Sequence, residues 1–229
     1  MTGSDSSRTS SRRQAAPGTG APAHHRRRSR KGEGDKLRLD ILDAAEALLA
    51  EKGSPDHVSM RAIASRVGVS PPAIYLHFDD KDELFFECCN RRFGEMAGRM
   101  KHAAAAHSSA MDRIEAMGRA YIEFGLSRGE QYEVMLLGDP PDAIGPEEAL
   151  ELPGAQALRM VAAAVADGIA SGELRADLDP VATAVALWAT THGAVMVLLD
   201  KRKHHFAMFE NEPAVIDHVI GMVRNGLLA

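Results

Sequence analysis

Apolar residues recur every three or four positions along most of the chain, and no stretch alternates with period two for the length of a strand. That spacing predicts an all-α protein whose helices each bury one face. The first stripe, Leu37, Ile41, Leu42, Ala45, Leu48 and Leu49, predicts a helix over 36–53 with its charged residues on the other side. Gly53 ends it. Two short helices of about two turns each are expected next. Ser59 stands at the N-cap of the first, and Met60, Ile63, Ala64 and Val67 form its apolar face. Gly68 supplies the left-handed residue that stops it, and Val69 plugs the turn. Ser70 is placed to cap the second, with Pro71 where a missing N–H is harmless, Pro72 beside it and Phe78 closing the segment. Asp80 and Glu83 then form a capping box for a long helix reaching about 106. Helices this short are unstable alone, so the first three must pack together.

Further along, Met111, Ile114, Met117, Tyr121 and Phe124 share a face of a helix over 109–128, and a short helix over 130–137 follows. The stretch 138–153 has turn chemistry at both ends and is expected to be a loop with at most one helical turn. Leu158, Val161, Ala162, Val165 and Ile169 mark a helix over 155–171. The helix expected over 180–199 is apolar nearly all round, so its own domain covers one side and a partner another. A last helix, 213–227, carries Val215, Ile216, Val219, Ile220 and Val223 on a broad face. No internal repeat is visible.

Composition narrows the class. A chain of 229 residues suffices for a small domain plus a larger one with its own core. Two cysteines argue against a secreted disulfide scaffold. The N-terminus lacks the apolar core of a secretory signal. No apolar run is expected to reach the ~18 uncharged residues of a membrane span, so no membrane partner and a cytoplasmic location are expected.

The net charge of −5 conceals an asymmetry: residues 1–79 hold 13 Lys+Arg against 9 Asp+Glu, and residues 80–229 hold 14 against 23. The basic end coincides with two short helices around a tight turn, the sequence shape of a helix-turn-helix that places one helix in the DNA major groove. Residues 1–34 have almost no aliphatic or aromatic side chain and are expected to be disordered. Their basic run, His24 to Lys31, is either an arm that follows phosphates or the minor groove, or a solubilising tail.

The stretch 36–84 resembles the N-terminal domain of the TetR family of transcriptional regulators. Ser59, Ile63, Ala64, Gly68, Val69, Ser70, Tyr75, His77, Phe78, Lys81 and Leu84 occupy the slots of that family's pattern. After the basic tail over 1–34, the resemblance implies two parts: a helix-turn-helix DNA-binding domain over 35–80, and a variable helical domain over 81–229 that binds an effector and dimerises through its last two helices. It implies phosphate contacts from Tyr75, His77 and Lys81, with Ser59 and Ser70 as caps that also meet phosphates. Base reading then falls to Arg61 and to Pro71, Pro72 and Ala73, where apolar contact and DNA shape outweigh hydrogen bonds. Tyr75 and His77 can also serve as packing residues.

Trp188, His192 and Gly193 form a Trp-x-x-x-His-Gly motif, and Tyr132 to Met135 a Tyr-x-x-Met motif, that resemble one subclass of TetR C-terminal domains. Trp188 and His192 share a helix face. They line an effector pocket, with Met117, Tyr121, Phe124, Tyr132, Met135 and Met196 as its wall, or they only lock the core. The adjacent pairs His24-His25 and His204-His205 point apart on a helix, so no metal site is expected. Cys88-Cys89 is expected to be buried and inert. No nucleophile–base order, phosphate loop or paired carboxylates appear, so neither an enzyme nor a cofactor is expected. The chain thus reads as a ligand-responsive DNA-binding regulator, a dimeric repressor on an inverted repeat, or alternatively an activator or architectural protein without a ligand.

Overall fold

The computed structural model describes residues 33–129, Tyr132, Met135, 144–200 and 212–229. Among the described residues there are nine α-helices and no strand: α1 Glu33–Lys52, α2 Met60–Val67, α3 Pro71–Ile74, α4 Lys81–Ala104, α5 Ala110–Arg128, α6 Pro146–Ala149, α7 Pro153–Ser171, α8 Pro180–Leu199 and α9 Glu212–Leu227. A single 3-10 turn, Pro55–His57, joins α1 to α2. All but the last two residues of the tail expected over 1–34 lie outside the described residues. So does most of the helix expected over 130–137, of which Tyr132 and Met135 are helical. The loop expected up to 153 holds the one-turn α6.

Local capping sets the start of the chain. The Ser59 hydroxyl accepts from the Ala62 N–H at 3.2 Å, and Gly68 ends α2 at φ +81°. The third helix departs from expectation, being one turn long rather than two, and the Ser70 hydroxyl caps nothing. Pro71 and Pro72 have no N–H to offer it, and the Ala73 N–H is already bonded to the Ser70 carbonyl at 2.9 Å. The chain turns after Ile74, whose carbonyl accepts from both His77 and Phe78, and this drives Phe78 into the core. The capping box is also shifted. Asp80 accepts from the Glu83 N–H, but Glu83 reaches the N–H of Asp79 rather than that of Asp80.

Two apolar clusters form. The first joins α1, α2 and α3 around Ile41, Ala45, Ile63, Ile74 and Phe78, and it takes in Leu84, Phe85 and Cys88 from the first turns of α4. The second joins the far half of α4 to α5, α7, α8 and α9 around Met96, Met111, Met117, Ile122, Val165 and Val195. One helix, α4, therefore belongs to both cores. Gly125 lets α5 and α8 touch, since a Cβ there would lie 2.5 Å from Val195 Cγ1.

Two sequence expectations need correction. Glu46 is not on a solvated face of α1; it is 7% exposed, buried against α4 by Arg92. And α8 has 20 residues without Asp, Glu, Lys or Arg, so by length and composition alone it is apolar enough to cross a membrane. Only 28% of its most apolar window is buried. One face, with Ala184, Thr191, Ala194, Val195 and Leu198, packs inside the second core. The opposite face leaves Val181, Val185 and Val197 exposed, which is the uncovered side expected of this helix.

Candidate functional site

Two regions carry functional chemistry. The first is the outer face of α2 and α3. Its cations differ in how far they are committed. Arg66 holds Glu51 through two hydrogen bonds of 2.8 Å, and Arg38 holds Glu87 at 3.0 Å while lying 4.9 Å over the Phe78 ring. Arg61, exposed in the first turn of α2, has no hydrogen bond or ion pair among the described residues. It borders a shallow cleft with Met60, Pro71, Pro72, Tyr75 and Leu76. Tyr75 is 51% exposed, and Ser59, Ser70 and Pro72 are exposed as well. Pro71, Ala73, His77 and Lys81 are half-buried. The Lys81 ammonium donates to the Pro55 carbonyl at 3.4 Å, so it lies beside the face rather than free in solvent. Sequence reasoning missed Leu76, an 83% exposed apolar side chain at the tip. Its only signal was its position off the apolar stripe.

This face presents one uncommitted guanidinium, a phenol and an apolar helix tip. A guanidinium can meet a phosphate or a guanine edge, and an apolar tip can meet a thymine methyl.

The second region is a cavity of about 210 Å³ between α4, α5, α7, α8 and α9. Its walls are Phe93, Met96 and Met100 from α4, Ile114, Met117 and Tyr121 from α5, Ala157, Leu158 and Val161 from α7, Ala184, Leu187 and Trp188 from α8, and Ile220 and Val223 from α9. Glu115 and Thr191 add the remaining polar side chains. Of the eight residues expected at a pocket, the structure brings Met117, Tyr121 and Trp188 to this cavity. Tyr132 and Met135 are buried but do not line it, and Met196 is 38% exposed on α8. Phe124 lies under two guanidinium groups, with Arg99 and Arg128 5.2 and 5.8 Å from its ring. The α4 wall was missed although Phe93, Met96 and Met100 recur at helical spacing, a signal that marks a buried face without saying what it borders.

Tyr132 and His192 do not line the cavity; they stand behind Tyr121 and Trp188, which do. The Trp188 indole N–H donates to the Tyr121 oxygen at 3.1 Å, Tyr121 and Tyr132 share a hydrogen bond of 2.6 Å, and the Tyr132 oxygen lies 2.8 Å from His192 Nδ1. The Trp188 and His192 rings stack at 5.6 Å. Burial raises the pKa of both phenols and lowers that of His192. The relay is therefore uncharged near neutral pH.

A helix-turn-helix head on an all-helical body, with one helix shared by both cores, is the arrangement of a one-chain transcriptional regulator. Family models agree. Residues 41–88 match "Bacterial regulatory proteins, tetR family" and residues 114–223 match "Tetracyclin repressor-like, C-terminal domain". The chain belongs to the TetR family of DNA-binding transcriptional regulators.

The HTH-type transcriptional activator FasR of Mycolicibacterium smegmatis is 28% identical over 136 residues, 59% of this chain and 60% of that protein. The matched stretch thus spans less than two thirds of that relative's length. Two solved structures show the shared fold. One is a protein of unknown function from Rhodococcus sp. RHA1, 22% identical with a TM-score of 0.71 over 91% of this chain and 100% of that one. The other is the transcriptional regulator FadR from Bacillus subtilis in complex with stearoyl-CoA, 18% identical with a TM-score of 0.63 over 82% and 98%.

Proposed function

We propose that the protein is a homodimeric repressor that holds an inverted-repeat operator in the cytoplasm and leaves it when a small, largely apolar effector enters the cavity. The observation that carries this reading is the double membership of α4. Its first turns pack Leu84, Phe85 and Cys88 in the head, and its later turns place Phe93, Met96 and Met100 in the cavity wall. A ligand that prefers one tilt of α4 selects one position of the head. Release follows by population shift, and a coupling of about 1–3 kcal/mol changes DNA affinity about five- to 150-fold. In this reading residues 35–80 are the DNA-binding part and 81–229 the effector and dimer part.

On DNA, Tyr75, His77, Ser59 and Ser70 meet phosphates, and Lys81 joins them by leaving the Pro55 carbonyl. Arg61 and the tip formed by Pro71, Pro72 and Ala73 meet base edges. The bare face of α8, with Val181, Val185 and Val197, and Met222 of α9, 74% exposed, are the surfaces that pair with a second copy. The name of FasR favours a second reading, in which the same dimer activates transcription. Fluorescence anisotropy with the DNA upstream of the protein's own gene tests the proposal, followed by a transcription assay with that DNA. Salt-sensitive binding and reduced transcription are expected. No binding to any inverted repeat at low salt overturns the reading, and increased transcription selects the activator.

A further inference from the structure

Among the described residues the cavity's polar side chains have all committed their protons, and this defines what kind of ligand they can recognise. The Trp188 N–H can only donate, so the Tyr121 oxygen must accept from it. The Tyr121 hydroxyl then has one acceptor among the described residues, the oxygen of Tyr132. The Tyr132 hydroxyl in turn has His192 Nδ1. Only one direction satisfies every proton: Trp188 to Tyr121 to Tyr132 to His192. The reverse direction leaves the Tyr121 proton aimed into an apolar cavity without a partner. The lowering of the His192 pKa by burial agrees, because a neutral ring can keep Nδ1 as an acceptor. Thr191 spends its proton on the carbonyls of Leu187 and Trp188, at 2.9 and 3.1 Å. Glu115, which accepts from Arg224 at 2.9 Å and Arg119 at 3.4 Å, has no proton to give as a carboxylate.

Resting on the reading of this cavity as the effector site, we infer that its ligand is an apolar molecule bearing a hydroxyl, an aliphatic alcohol or a phenol, that donates its proton to the Tyr121 oxygen. Ketones and esters of the same skeleton are disfavoured, because they bring an acceptor to a wall that has no free donor among the described residues. Tyr132 and His192 do not touch the ligand; they position the Tyr121 proton away from it. The volume of about 210 Å³ exceeds the ~150 Å³ of an apolar cavity that holds benzene, so the molecule is somewhat larger than benzene.

The test uses 2-octanol and 2-octanone, which share one skeleton, titrated calorimetrically into the full-length protein and its Tyr132→Phe variant near neutral pH. In the parent the alcohol binds more tightly. In Tyr132→Phe the Tyr121 proton loses its acceptor and turns to the ligand, so the alcohol-over-ketone preference falls about tenfold. Comparing the ratio between proteins cancels the difference in hydrophobicity of the two probes. His192→Phe keeps the ring stacked on Trp188, removes the last acceptor and shifts the ratio the same way, which holds the test open should Tyr132→Phe fold poorly. An unchanged ratio in both variants overturns the inference while leaving the cavity a ligand site. Failure of both probes to bind the parent overturns the effector-site reading together with the inference.

Discussion

Replacing Arg92 by Met should be among the most destabilising single changes available outside the apolar cores. Glu46, on α1, has a side chain only 8% exposed, and one of its carboxylate oxygens is bonded to the Arg92 guanidinium of α4. The other oxygen, Oε1, is buried without a hydrogen-bond partner, and Arg91 Nε lies 4.0 Å from it. Burial raises the Glu46 pKa, and the charges of Arg92 and then Arg91 oppose that rise without cancelling it. At hydrogen-bonding separation the Glu46–Arg92 attraction is about 6 kcal/mol at an effective dielectric constant of ~20, against a desolvation penalty of several kcal/mol per ion. The pair is therefore near break-even as a pair and very unequal when split. Arg92→Met leaves a buried carboxylate without its hydrogen-bonded partner, with only the more distant Arg91 near it, and should lose about 3–5 kcal/mol, a fall in Tm of roughly 6–20 °C for a chain of this size. Glu95, the other partner of Arg92, keeps Arg99 and Arg128, so little of that loss arises there. Glu46→Gln removes the charge that burial penalises and should change stability by less than about 1 kcal/mol, and Glu46→Met with Arg92→Met should recover most of the single-mutant loss. The pH dependence follows from the sign of the shift. A carboxyl whose folded pKa is raised binds its proton more tightly when folded, so its effect on stability becomes more favourable as pH falls through the folded value. Without Arg92 the rise is larger, and the gap between Arg92→Met and the parent should narrow on acidification from neutrality. Urea denaturation of the four proteins at several pH values measures all of this. Equal, additive losses from Arg92→Met and Glu46→Gln, with no pH trend, would refute the reasoning.

Gly125→Ala places a Cβ 2.5 Å from Val195 Cγ1 and 3.2 Å from Tyr132 Cε2, and should cost about 1–3 kcal/mol by thermal denaturation. A variant as stable as the parent would show that α5 and α8 separate freely. Arg61→Ala, which removes the uncommitted guanidinium of the head, should weaken operator binding by about 1–3 kcal/mol and leave Tm unchanged; equal loss on all DNA sequences would make Arg61 a phosphate contact rather than a base reader. Val185→Asp puts a charge on the bare face of α8 and should shift the protein to monomer in sedimentation velocity, with loss of operator binding. A dimer that persists would move the interface elsewhere.

What could be read before the structure was whatever local chemistry decides. Ser59, Gly68 and the apolar stripe of α2 all lie within residues 59–68, and a cap or a left-handed glycine acts at that range. The length of α3 was not legible, because it is set by where Phe78 must go, and that depends on a core built by α1 and α4. Glu46 shows the same limit more sharply. By spacing it belonged with the solvated charges of its helix, and its burial is made tolerable chiefly by Arg92, 46 positions away. The cavity divides along the same line. Met117, Tyr121 and Trp188 could be singled out by type, yet which face of each helix would border a void was fixed by the packing of five helices. The relay behind it carries the point furthest. Sequence could name Tyr132 and His192 as polar residues in an apolar region, but their part depends on a chain of three hydrogen bonds whose direction is set at one end by an indole that can only donate. Residue type fixes which atoms can give a proton, and tertiary structure fixes which of them still has one to give.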